Sequence, residues 1–145
     1  MSTARPEARR EAIRKKLTQC AGGESGAKAF AVATVSLWPQ FSARLAPVIG
    51  VRGVEILFNR ALYLTSTSFP FLAIAAHRGR DTAPLEAIRV QIGQQDAPVA
   101  AAASCEFLFT FTVLLATLIG DSLTDRLLGP VWASPLPGSE RESGL

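Results

Sequence analysis

Val54, Leu57, Phe58, Ala61, Leu62 and Thr65 recur at intervals of three and four within residues 51–67. That spacing lines side chains along one face of an α-helix. Arg52, Glu55, Asn59 and Ser66 fall mostly off the face, so the pattern predicts an amphipathic helix. A thinner version opens the chain. Residues 6–19 predict a first helix, with Pro6 suited to the first helical position and Glu7 to the first turn. Its apolar stripe is only Ile13 and Leu17, and Gly22, Gly23 and Gly26 break it.

A second helix is expected to start near Ser25 and run through "AKAFAVATVSLW". Pro39 should kink it or start a new helix reaching Gly50, because proline lacks the N–H and crowds the preceding turn. Residues 68–73 turn at Pro70, and "HRGRDTAP" (77–84) reads as a polar loop. Asp81 or Thr82 caps a helix with Pro84 in its first turn and Leu85, Ile88 and Ile92 on one side. Residues 96–120 are the most apolar stretch. Asp96 is a natural N-cap, Pro98 sits in the first turn, and Gly120 closes the helix in a left-handed conformation. A short helix follows over 121–129. From Pro130 onward Pro, Gly and Ser dominate, with Trp132 packing back.

These elements predict an all-α, single-domain bundle of about five to seven helices around a buried central hydrophobic helix. Residues 1–24 form a basic N-terminal helix and Gly-rich linker, 25–133 the helical domain, and 134–145 a disordered tail. The 145 residues suit one domain, and the Ala-, Leu- and Arg-rich composition favours helix.

Charge adds a feature that periodicity does not. The formal net charge is +3, yet residues 1–20 hold six basic groups (Arg5, Arg9, Arg10, Arg14, Lys15, Lys16) against Glu7 and Glu11, a local +4. The body therefore carries about −1. Arg9, Arg10, Arg14, Lys15 and Lys16 become candidates for binding a partner or an anionic surface. Because the arm has few apolar residues, little contribution to stability is expected of it. The charged N-terminus lacks the apolar core of a secretory signal. Cys20 and Cys105 show no metal or redox spacing, which suits a reducing, cytoplasmic setting.

Few residues offer chemistry. Glu106 is the only strongly charged side chain between Asp96 and Asp121. A carboxylate within a central helix calls for a partner, and Arg60, or Arg52, on the amphipathic helix is the candidate. "GGESGAKA" (22–29) matches a phosphate loop only at Lys28 and lacks the hydroxyl that would hold Mg²⁺. His77, Arg78, Arg80 and Asp81 make a polar loop, and no cluster has metal-ligand spacing. No cofactor is expected.

The string I-G-D-S-L-T-D (119–125) closely resembles the nucleophile block of the GDSL esterases and lipases. The resemblance implies Ser122 as the nucleophile, with Gly120 and Asp121 as its turn, in a flavodoxin-like α/β sheet. It also implies an oxyanion hole completed by a Gly and an Asn, and a base from a later D-x-x-H. This chain departs from that pattern. Only 23 residues follow Ser122, the block comes after a helical stretch, and no His follows it. His77 is the only His and Asn59 the only Asn. A serine nucleophile needs a base and an oxyanion hole, so the residues favour helix, turn, helix, with Asp121 or Ser122 capping the second helix and Ser122–Asp125 forming an acidic capping box.

The functional expectation is a non-enzymatic, small bacterial-type helical protein that works through protein–protein binding, as an adaptor, regulator or structural element. Self-association suits its low charge; nucleic acid does not suit it. The alternative is a membrane-associated protein using the basic arm and apolar helices, since residues 99–119 are apolar enough to suggest a span. Ester hydrolysis by Ser122 is the minor alternative.

Overall fold

The structure, a computed structural model, describes residues 4–20, 26–73 and 84–133. The loop around His77, most of the Gly-rich linker and the expected tail lie outside the described residues. Five long helices follow in order: α1 (Ala4–Cys20), α2 (Ala27–Thr65), α3 (Pro84–Gly93), α4 (Ala97–Ile119) and α5 (Asp121–Ala133). No strand occurs among the described residues. The molecule is an all-α bundle around an apolar central helix.

That central helix is α4. It buries Ala100, Ala103, Ser104, Phe107, Leu108, Phe111, Thr112 and Leu115, which occupy one broad face at helical spacing. Asp96 is its N-cap residue, with the carbonyl accepting from the Ala100 N–H. Ile88 and Ile92 of α3, and Leu128 and Val131 of α5, complete the core together with α2. Trp132 does pack back, edge-on to Phe41 at 5.4 Å.

Pro39 does not break α2. Both Pro39 and Pro47 lie inside the helix, and only Gly50 leaves helical geometry, at φ 83°, ψ 156°. Both proline rings are exposed, on the outer side, where a carbonyl deprived of its N–H partner can be hydrated. The real break is a reversal. Trp38 and Phe58 are twenty residues apart, about 30 Å along a straight helix, yet their rings meet at 4.6 Å. Gly50 therefore folds residues 27–49 and 51–65 into a helical hairpin.

Gly120 builds a second hairpin, from α4 and α5, with φ 94° and ψ 155°. This is not the left-handed helical conformation expected of it. It is the extended, positive-φ region that is essentially glycine's alone. The Gly120 N–H donates to the Ala116 carbonyl, closing α4. Its own carbonyl accepts from the Thr124 N–H and hydroxyl, opening α5.

A Cβ added at Gly50 or Gly120 would meet nothing within 4 Å, so alanine there probes backbone conformation alone. Gly50→Ala and Gly120→Ala should each cost about 1–3 kcal/mol, read as a drop of several degrees in thermal melts. Unchanged melting would mean that the reversals are made some other way.

The sequence sets α1 apart from the body; in the structure α1 packs on it. Ile13 and Leu17 belong to the core, 0% and 2% exposed. Arg9 and Lys16 are buried beside them. Arg9, Ile13, Lys16 and Leu17 form one face at spacings of four, three and one, with the long basic stems supplying apolar surface. Only two of the four letters are apolar, which is why the stripe looked thin.

Candidate functional site

Among the described residues, three places gather the chemistry: the seam between α1 and α5, a cleft between α1 and α4, and the outer face of α2.

At the seam, the Arg9 guanidinium is forked between two carboxylates. Nη2 donates to Asp121 Oδ1 at 2.8 Å and Nε to Asp125 Oδ1 at 2.9 Å. Asp121 and Asp125 are one turn apart at the start of α5, where the helix dipole also favours negative charge. Burial, the largest influence, would lower the Arg9 pKa. The hydrogen bonds and charges of Asp125 and Asp121 together outweigh it and hold the group above its ordinary value. Both aspartates of the GDSL-like string thus fasten the basic helix to the body.

Ser122 stands between them, exposed, and its hydroxyl makes no hydrogen bond among the described residues. Nor do Asp121 and Ser122 occupy the N-cap position. Helix α5 begins at Asp121, so Gly120 precedes it as the cap residue, and Thr124 supplies the hydroxyl that returns to the Gly120 carbonyl. Asn59 lies on the outer face of α2, and His77 lies outside the described residues. Ser122→Ala should change stability by no more than about 0.5 kcal/mol, less than a lost cap would cost. Loss of ester turnover in this folded variant would restore the nucleophile reading.

The cleft, about 520 Å³ and open to solvent, is lined by Arg10, Arg14, Ser68, Phe69, Ala101, Ala102, Cys105 and Glu106. Glu106 does not pair with Arg60. Its Oε2 lies 2.5 Å from Nη1 of Arg10, whose guanidinium carbon also sits 4.0 Å from the centre of the Phe109 ring. Glu106 points to the α1 side of α4, whereas Arg60 is exposed on α2. Arg14 is engaged in its own helix, by Glu11 at 2.5 Å. The cleft's cations therefore face it already paired with carboxylates.

Cys105, a free cysteine, directs its thiol toward the Arg10 carbonyl at 3.9 Å. Burial, the largest influence, pushes this thiol up, and the positive charges of Arg10 and Arg14 do not overcome it. The folded chain keeps the proton where the unfolded chain has lost it. The resulting stability is complete below the ordinary thiol range and is lost as pH rises from that range through the raised value of the folded chain. In a Cys20→Ser background at about pH 8, alkylation of Cys105 should run slower than that of a small free thiol. An equal rate would mean an activated cysteine.

The basic candidates thus divide. Arg9 and Lys16 are buried, Arg10 and Arg14 are ion-paired, and Lys15 is exposed. Sequence reasoning missed α2. There Arg44, Arg52 and Arg60 are exposed and make no ion pair among the described residues. They are interleaved with Val51, Ile56 and Tyr63, which are 64%, 60% and 62% exposed. The overlooked signal was Ile56 and Tyr63, seven residues apart and both off the stripe that marks the core. No group of three His, Cys, Asp or Glu able to hold a metal occurs among the described residues. In comparisons with known proteins, no family model, no curated protein and no solved structure matches this chain.

Proposed function

We propose that the chain is a non-enzymatic helical protein that works by binding another protein, in an adaptor, regulatory or structural role. Its contact surface is the outer face of the second arm of α2. The observation that carries this reading is the exposure of Ile56 and Tyr63, one above the other on a helix whose opposite face is in the core. Burying a large apolar side chain gains roughly 1.5–3 kcal/mol, so two such residues beside arginines with no ion pair among the described residues make a site worth covering. A cytoplasmic location fits the free Cys105.

A photo-crosslinking residue in place of Tyr63, with the same residue at Lys15 as control, tests this in cells. Position 63 should give a discrete protein adduct that Ile56→Asp abolishes, and position 15 should not. Adducts at 15 alone would move the function back to α1.

Membrane association is the second reading, favoured by Ala97–Ile119, whose 23 residues and mean hydropathy of 1.9 are enough to cross a bilayer by length and composition. Recovery in a carbonate-resistant pellet would support it. Against it, eight of that helix's side chains pack inside the bundle, and the basic arm it would rely on is largely engaged in burial and ion pairs.

A further inference from the structure

We propose that the face presented by Arg52, Glu55, Ile56, Asn59, Arg60 and Tyr63 docks a second copy of this chain, the two arms lying parallel across a two-fold axis. This inference rests on the binding reading above and names the partner. All six residues are exposed. Ile56 and Tyr63, one heptad apart, hold equivalent places on the stripe, with Asn59 between them. At about 100° per residue, Glu55 falls about 100° to one side of Ile56 and Arg60 about 40° to the other.

Glu55 and Arg60 are five residues apart. In parallel helix pairs this is the spacing at which one flank meets the opposite flank of its neighbour. A two-fold axis along the helices brings Glu55 to the partner's Arg60, and the second symmetric pair forms at the same time. An antiparallel pairing would set Glu55 on the same side as the partner's Glu55, so the charges choose the parallel one. Among the described residues neither Glu55 nor Arg60 has an ion-pair partner within its own chain. An acidic foreign helix would satisfy Arg52 and Arg60 but repel Glu55, whereas a second copy satisfies both signs. Asn59 falls on the axis, and its amide, both donor and acceptor, can bond its own copy. Arg52 meets its like at the end nearest Gly50, where a long side chain can turn out to water. The arm spans 15 residues, roughly 22 Å, so the interface is small and the dimer weak and concentration-dependent.

Sedimentation equilibrium on the full chain over a concentration series tests this. The native chain should show a reversible monomer–dimer equilibrium. Glu55→Arg and Arg60→Glu should each weaken it at least about tenfold, because like charges then face each other. The discriminating step is to mix them. Equimolar Glu55→Arg and Arg60→Glu should form a heterodimer as tight as the native dimer, and the double variant should dimerise with itself. Both positions are exposed, so circular dichroism should be unchanged. A native chain that stays monomeric, or single variants that dimerise normally, or a mixture that stays monomeric, would overturn the proposal. A monomeric chain whose Tyr63 crosslinks to a different protein overturns self-docking and leaves the binding reading standing. No adduct at Tyr63 overturns both.

Discussion

Removing residues 1–20 should abolish the cooperative thermal transition of the remaining chain. Ile13 and Leu17 are fully enclosed by the bundle, and truncating a buried aliphatic side chain to alanine costs about 2–5 kcal/mol. Deleting the helix removes both at once and uncovers the core surface they touch. It also takes Arg9 away from Asp121 and Asp125, leaving two carboxylates one turn apart without their shared cation. A domain of this size has about 5–15 kcal/mol to lose, so the combined effect is of the order of the whole. Leu17→Ala alone should lower the melting temperature by about 6–15 °C, at roughly 3 °C per kcal/mol for this length. A truncated chain that melts cooperatively at the native temperature would mean that α1 is an appendage.

Phe111→Ala should be the most damaging single substitution in α4, at about 3–5 kcal/mol. Phe111 stacks on Phe41 at 5.7 Å and meets Trp38 edge-on at 5.1 Å. It thereby joins α4 to the first arm of α2, while Phe107 reaches Phe58 on the second arm at 5.4 Å. Removing the ring opens a void among large, rigid neighbours that cannot collapse into it. Tryptophan fluorescence should shift as Trp38 loses a wall of its pocket. Val113→Ala, on the exposed side of the same helix, should cost under about 0.5 kcal/mol. Equal losses at the two positions would mean that α4 is turned differently in the bundle.

Much of the fold was legible because burial and helical period coincide. Val54, Phe58, Ala61, Leu62 and Thr65 are buried as their spacing required, as are Ile88 and Ile92, and Asp96 and Gly120 bound α4. What escaped has physical causes. Arg9 and Lys16 are charged letters with long apolar stems, so the buried face of α1 does not look hydrophobic. Pro39 looked like a breaker, but the ring is exposed and the helix continues through it. The reversal falls on Gly50, which can adopt a positive φ that residues with a Cβ rarely take. Periodicity places Glu106 on a side of α4 but does not say which neighbour covers that side: the sequence suggests Arg60 of α2, and the partner is Arg10 of α1. The GDSL-like string is, in the fold, a glycine joint with two aspartates holding Arg9. The exposed pair Ile56 and Tyr63 was visible in the sequence, but only the folded hairpin leaves that face uncovered.

That the basic helix belongs to the bundle, so that the uncovered face proposed as the contact surface lies on α2, is tested most directly by native-state hydrogen exchange on the full chain. Amides around Ile13 and Leu17 should open with about the same free energy as those around Phe107 and Phe111, since one global unfolding exposes both. Exchange of the α1 amides at nearly unprotected rates while α4 stays protected would contradict this. It would release Arg9 and Lys16 from burial and Arg10 from its ion pair with Glu106, leaving them with Arg14 and Lys15 as a free basic arm.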